Sequence, residues 1–345
     1  MKLTLCLKGL DMSAALCLSS LILGAVGAFF ITAFAGRLGL IDRPNNRSSH
    51  VIPTPKGGGI GILAAFLSVS IALQIPVSLW LPAFLLGLFS LFADNSDFDP
   101  KIRLLLQFVA AFILLTATKN TFPPSLLDLP LVLFFCFLMV GTANVYNFMD
   151  GINGIAGITG VVGFGLVTIY AFFNKAEPSI SLLPLCLSMA CCGFLPFNFP
   201  KARVFLGDVG SILLGFVFSS IVALWSKDVL DFICLCGFLF PFYADELNTM
   251  FVRVRDGQNL LHPHRRHVYQ LLANEMAIAH WKVSLGYGVL QAAIGLIALL
   301  IKSLGLSPLI LFLSVCFGAF SLYAFALRKR LEIISDKNRL LVGRH

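Results

Sequence analysis

Charge is what this chain has least of. Asp, Glu, Lys and Arg make up 12% of its 345 residues, against about 25% in a soluble domain. A water-facing surface of ordinary size cannot be built from so few. Internal repeats and low-complexity tracts are missing too, and the longest stretch without a strongly apolar run is residues 248–282. That piece can hold a short amphipathic helix and a loop, but no core of its own. A separate soluble domain is therefore excluded, and residues 1–345 read as one unit. Metal-site cysteine spacing is also lacking. The nine Cys fall almost entirely inside apolar runs; Cys191 and Cys192 are adjacent, and Cys234 and Cys236 are one residue apart. They read as small buried hydrophobes.

What the chain has in excess is apolar residues, 58% of the total, with a mean hydropathy of +0.90. No buried core absorbs that much, so the bilayer must be the solvent. The runs are long and continuous rather than short and alternating, which predicts an all-α polytopic membrane protein and excludes a β-barrel. Eleven candidate spans cover roughly 14–36, 58–75, 77–93, 104–119, 127–147, 154–173, 180–198, 210–226, 229–247, 283–301 and 308–326. The first follows Lys2 and Lys8, is longer than a signal-peptide core and has no clean cleavage site, so it reads as a span. The second and third nearly fuse at Pro76, which predicts a tight hairpin.

An odd number of spans puts the termini on opposite sides, and the cations choose which. Nineteen of the 25 Lys and Arg fall in one set of loops and the tail; the others are Lys2, Lys8, Lys119, Lys175, Lys227 and Lys302. The positive-inside rule then predicts an outside N-terminus, a bundle over 14–326, a cytoplasmic loop over 248–282 and a basic cytoplasmic tail over 327–345. The net charge of +8 is accounted for by this orientation and by a surface facing anionic membrane lipids and a phosphorylated substrate, not by nucleic acid. With this orientation nearly every polar cluster lands on the cytoplasmic side, as expected of one site assembled from five loops.

Each cluster has a chemical reading and a plainer one. In Phe205-Leu-Gly-Asp-Val-Gly-Ser211, the glycines allow close approach of a ligand and Ser211 can cap the next helix. Asp208 would repel an anion there unless a divalent cation lay between them, which predicts a Mg²⁺-bridged phosphate site; the plainer role is a helix cap. Asp94 directly follows an apolar run, where an ionised carboxylate needs a partner. Asp97, Asp99, Lys101 and Arg103 beyond it read as a solvated turn. Asn144, Asn147 and Asp150 drift around one helix face and suit a nucleotide or sugar, with Gly151 closing the helix. His262, His264 and His267 lack zinc-ligand company; with Arg265 and Arg266 they read as a pyrophosphate grip or as a patch for lipid head groups. Arg47, His50 and Lys56 precede Gly57–Gly59, a run suited to anion contact or to helix packing.

Pro53-Thr-Pro-x-Gly-Gly, an acidic position after a span, Asn-x-x-Asn-x-x-Asp-Gly, Phe-x-Gly-Asp-x-Gly-Ser and a late His-rich loop occur in that order. Together, over about residues 37–272, they resemble the polyprenyl-phosphate N-acetylhexosamine-1-phosphate transferases. The resemblance implies transfer of a sugar-1-phosphate from a UDP-N-acetylhexosamine to undecaprenyl phosphate with release of UMP, at the cytoplasmic face of a bacterial inner membrane. It implies Mg²⁺, with Mn²⁺ as the alternative ion, and allows a homodimer. Carried over by position, Asp208 and Asp94 would hold metal, and Asp94, Asp150 and His267 would be catalytic. Lys56, Asn144, Asn147, Asp245, Arg253, His264, Arg265 and Arg266 would bind substrate.

Three departures from the family pattern stand out. Asn95 and Asn153 replace carboxylates, and His267-Val-Tyr-Gln270 ends without further His. The Tyr-Gln ending resembles a subgroup that begins O-antigen or other surface polysaccharides, often with a 6-deoxy sugar. Two other classes remain as competitors: a transporter, which would place ionisable groups near the bilayer midplane, and a catalytically altered relative.

Overall fold

The computed structural model describes residues 2–44, 49, 52–94, 98–118, 128–174, 178–259 and 265–342. The chain is almost entirely helical. In order it forms α1 (Lys2–Leu38), α2 (Ile60–Ala72), α3 (Val77–Ala93), α4 (Pro100–Thr118), α5 (Leu129–Phe148), α6 (Ile155–Phe173), α7 (Pro178–Asn198) and α8 (Asp208–Trp225). Then follow α9 (Val229–Gly237), α10 (Phe240–Arg255), the short α11 (Val268–Gln270) running into a π turn at Leu271–Glu275, α12 (His280–Lys302) and α13 (Leu306–Val342). Eight described helices are long and apolar enough to cross a membrane, and α2 and α3 are shorter apolar helices. The protein is thus the multi-pass all-α bundle that its composition implies. The expected hairpin at Pro76 is present: Gln74 takes a positive φ, and Ile75 N–H donates to Ser70 O at 3.0 Å.

One predicted span is not a single helix. The run 229–247 breaks after Gly237, and α10 restarts with Pro241 in its first turn, where a missing N–H costs no helical bond. The break frees a backbone carbonyl in an apolar interior. Gln291 of α12 takes it up, its Nε2 donating to Phe238 O at 2.8 Å and to Thr159 O at 3.2 Å. Such a side-chain repair lets a helix break inside a bundle.

Helix α8 is the axis of the structure. Its residues from Val209 to Val222 are all buried, and it packs against α2, α3, α5, α6 and α9. Small residues set these approaches. A Cβ on Gly215 would lie 2.8 Å from Ala143 Cα on α5. The N-terminal end of α8 is fixed by a small β arrangement. Ile41–Asp42 pairs antiparallel with Thr54–Pro55, Lys56 bridges to Phe205, and Gly58 and Gly59 N–H donate to Phe205 O and Leu206 O, both at 2.9 Å. Gly58 and Gly59 therefore serve packing, and their amides are committed to backbone rather than to an anion.

The eight described cysteines are free thiols, and four of them are buried, as small hydrophobes should be.

Helices α1 and α7 touch backbone to backbone: a Cβ on Gly193 would fall 1.9 Å from Leu21 O. Gly193→Leu is expected to wedge these helices apart at a cost of about 1–3 kcal/mol or more. Thermal denaturation of the detergent-purified variant measures it, and an unchanged midpoint would refute this packing.

Candidate active site

Three carboxylates from separate connections meet beside the start of α8. Asp94, Asp150 and Asp208 line one polar cavity of about 280 Å³ together with Lys56, Asn147 and Gln270. Each has a distinct local origin. Asp94 caps the C-terminal end of α3, Asp150 lies in the turn between α5 and α6, and Asp208 is the first residue of α8. Gly207, with φ +74°, makes the approach possible: a Cβ there would lie 2.8 Å from Gly57 N and 3.3 Å from Asp94 Oδ2.

Positive charge and amides hold the carboxylates in place. Lys56 Nζ donates to Asp94 Oδ1 at 2.9 Å and to Asp94 O at 2.5 Å. Arg103 Nη1 donates to Asp208 Oδ2 at 2.9 Å, and Nη2 reaches Ala93 O. Asn147 Nδ2 donates to Asp208 Oδ1 at 2.8 Å and to Ser211 Oγ at 2.9 Å. Ser211 does not cap α8; its hydroxyl lies within the first turn and donates to Gly207 O at 3.2 Å. Among the described residues, no cation lies within ion-pair distance of Asp150. Burial raises its carboxyl well above the usual range, and the negative Asp208 and Asp94 push the same way.

The structure separates Asn144 from Asn147. Asn144 turns away from the cavity to α4, its Nδ2 donating to Gln107 Oε1 at 2.5 Å and to Val140 O at 2.7 Å. The three-residue step rotates the two amides onto neighbouring sides of α5, so one serves the cavity and the other a helix contact. Gly151 does not close α5 by a left-handed turn. A Cβ there would strike the Tyr269 hydroxyl at 2.1 Å, and that hydroxyl donates to Phe148 O at 2.9 Å.

The late loop also reads differently in three dimensions. Asp245 is wholly buried and does not line the cavity. It accepts from Val268 N at 2.7 Å, Tyr269 N at 3.1 Å and the Tyr287 hydroxyl at 2.7 Å. These bonds fix the segment that presents Gln270 to the cavity. His267 is 2% exposed and sits behind the cavity wall. Its Nδ1 is 3.7 Å from Asp245 Oδ1, its Nε2 is 3.6 Å from Glu246 Oε2, and its ring stacks on Tyr269. Arg253 is buried, with Nη2 donating to Asn259 O at 2.5 Å. Arg266 pairs with Asp256 at 2.5 Å, which holds that carboxyl below its usual range. Neither Arg265 nor Arg266 lines the cavity. His50, Arg47, His262, His264, Asn95 and Asp97 lie outside the described residues.

Sequence reasoning left out Asp42 and Gln270, which line the cavity, and Arg103, which supports it through Asp208. Arg103 was read as part of a solvated turn. Helix α4 starts at Pro100, which puts Arg103 one turn in and aims it back at Asp208. Asp42 is carried to the cavity by the short β pairing, for which two residues give no periodic signal. Among the described residues, no three His, Cys, Asp or Glu side chains are gathered closely enough to cage a metal unaided.

A multi-pass bundle with a carboxylate-rich polar cavity defines a membrane protein with a polar site, and comparison with known proteins gives its family. Residues 76–226 match the model of glycosyl transferase family 4. The undecaprenyl-phosphate alpha-N-acetylglucosaminyl 1-phosphate transferase of Thermotoga maritima is 30% identical over 269 residues, covering 76% of this chain and 83% of that protein. The decaprenyl-phosphate N-acetylglucosaminephosphotransferase of Mycobacterium tuberculosis is 26% identical over 331 residues, 79% of each. A phospho-N-acetylmuramoyl-pentapeptide-transferase of Staphylococcus saprophyticus is 35% identical over 124 residues, 36% of this chain and 37% of that one. The chain belongs to the family of polyprenyl-phosphate N-acetylhexosamine-1-phosphate transferases.

Two measurements test this geometry. Asn147→Ala is expected to reduce turnover of the membrane enzyme about 100-fold without unfolding it, as loss of a positioning contact at a charged centre does. Asn144→Leu alone leaves Gln107 unpaired at a cost of about 1–3 kcal/mol, whereas Asn144→Leu with Gln107→Leu recovers most of that stability. Equal effects of the two Asn on turnover would contradict their separation.

A third test uses pH. The Asp150 carboxyl is raised above its unfolded value of about 3.9, so the folded state holds its proton longer. Its contribution to stability therefore falls as pH climbs from the unfolded value toward the folded one, and stays lower beyond. Asp150→Asn removes this penalty. Its thermal midpoint without added divalent cation should exceed that of wild type more at pH 7 than at pH 4.

Proposed function

We propose that the chain transfers an N-acetylhexosamine-1-phosphate from its UDP-sugar to undecaprenyl phosphate, releasing UMP. The observation that carries this reading is the convergence of Asp94, Asp150 and Asp208 on one cavity with Lys56 and Asn147. The matched relatives are named for this class of reaction, and the chain spans most of their length. The orientation that the cations favour puts the cavity on the cytoplasmic side of the inner membrane, where a nucleotide sugar is available. On this reading the product opens assembly of a surface polysaccharide, O-antigen among them.

The donor set fits Mg²⁺. It is made of oxygens alone, and the ion is commonly held by one or two carboxylates plus substrate phosphates rather than by a full protein cage. Asp208 and Asp94 would hold it, and Mn²⁺ has the same preference for oxygen. When bound, the ion supplies neutralisation of phosphate charge. The rest falls to the chain. A phosphate monoester loses its second proton near pH 6, so the carrier lipid needs no strong base at neutral pH. Catalysis then rests on holding two anions in line and screening them. Among the described residues, Lys56 and Arg103 stand 2.9 Å from Asp94 and Asp208 and are the positive groups placed to screen phosphate oxygens. Asn147 keeps Asp208 in one rotamer throughout.

The decisive assay gives the purified chain UDP-GlcNAc, undecaprenyl phosphate and Mg²⁺, and reads UMP. UDP-QuiNAc and UDP-FucNAc follow in the same panel. UMP release with one of these sugars is expected, and Asp208→Ala should abolish it. Wild-type rates in that variant would overturn the role given to Asp208. No UMP from any of the sugars would favour a catalytically altered relative.

A further inference from the structure

We propose that the groove between α10 and α13 is a binding site for an anionic phospholipid of the surrounding leaflet. The groove has a volume of about 810 Å³ and shares no lining residue with the carboxylate cavity. Its wall is apolar and open: Phe251, Leu322 and Phe325 are 70%, 72% and 60% exposed. At one end stand Arg255, Arg266, Arg328 and Lys329, against only Asp256 and Glu332.

The positive charge there is only partly spent internally. Asp256 alone answers both Arg255, at 3.4 Å, and Arg266, at 2.5 Å. Arg328 Nη2 donates to Arg266 O at 3.0 Å and to Thr249 Oγ1 at 3.2 Å, and both acceptors are neutral. Among the described residues, no carboxylate lies within ion-pair distance of Arg328 or Lys329. The Ser321 hydroxyl lies buried in the same groove without a hydrogen-bond partner. It is seven residues, about 10 Å along the helix, from Arg328.

A cationic end, an apolar wall and one hydroxyl between them match one chemistry. A phosphate head group meets the Arg and Lys cluster, a glycerol or ester oxygen meets Ser321, and acyl chains cover the exposed aromatics. Basic pockets between spans bind anionic head groups for this reason. A free phosphate would leave the apolar wall uncovered. The polyprenyl carrier would have its head group in a cavity separate from Asp94 and Asp208.

The site adjoins the catalytic wall through the backbone. Arg328 holds the carbonyl of Arg266, the residue before His267, and Asp245 holds the next two amides. A head group drawn to Arg328 thus acts on the segment that carries Gln270 to the cavity.

Native mass spectrometry of the full-length protein, offered equal phosphatidylglycerol and phosphatidylcholine in detergent, tests the site without using turnover. Wild type is expected to retain the anionic lipid preferentially. R255Q/K329Q should weaken that retention about fivefold for each cation removed, with phosphatidylcholine unaffected, and R255K/K329R should restore it. Ser321→Trp, which fills the groove and keeps every charge, should also expel the lipid. That variant decides the matter if R255Q/K329Q loses both lipids through misfolding. Equal retention of the two lipids by wild type would overturn the assignment, as would undiminished phosphatidylglycerol on the folded double variant or on Ser321→Trp. Displacement by undecaprenyl phosphate or by inorganic phosphate would give the groove to those ligands instead.

Discussion

Three carboxylates can share one small cavity at the edge of an apolar bundle only if positive charge is supplied to them. The architecture around the cavity follows from meeting that condition. Lys56 and Arg103 each come from an element remote in sequence from the carboxylate they neutralise, at 2.9 Å in both cases. Asp150 has no such partner among the described residues and carries the cost as a raised carboxyl. Asp208 shares part of that cost, since burial and the neighbouring Asp94 push its carboxyl up to about 6 in spite of Asn147 and Arg103.

Rigidity is what makes so crowded an arrangement hold. Asp208 is the first residue of α8, which is buried along nearly its whole length. Its position is therefore fixed by packing in the bundle rather than by a loop. Gly207 and the backbone pairing of 55–59 with 205–206 bring Lys56 and Asp94 to it. Asp245 plays the matching part on the other wall, spending its oxygens on two amides and a tyrosine to set the segment before Gln270. A buried acid whose bonds are all internal is a positioning group, and its loss would be felt through the segment it holds.

The apolar runs made the helical membrane class legible, because lipid allows few other solutions. The carboxylates were legible because polar residues at span ends are costly and so stand out. What was not legible is direction. Asn144 and Asn147 look alike in sequence, yet one faces Gln107 and the other Asp208. Arg103 stands in a charged segment of ordinary composition, and only the start of α4 at Pro100 aims it at α8. His267 and Arg266 carry the right chemistry for phosphate, but Asp245, Glu246 and Asp256 claim them first. Composition and spacing say which residues are unusual; only packing says which face each one shows. The break between α9 and α10 was hidden for a related reason, since the residue that repairs it, Gln291, lies some fifty positions away.

Of the two asparagines that depart from the family pattern, Asn153 lies among the described residues and can be weighed by place. Asn153 does not line the cavity; its carbonyl accepts from the Ser284 hydroxyl at 2.7 Å, tying the turn before α6 to α12. Losing a carboxylate at 153 leaves the set of Asp94, Asp150 and Asp208 whole. It also lowers the negative charge near Asp150, whose carboxyl is already raised by its neighbours. Repulsion among like charges in a poorly screened site grows with every acid added. An amide at 153 therefore keeps the three acids of the cavity while easing the repulsion that Asp150 already meets.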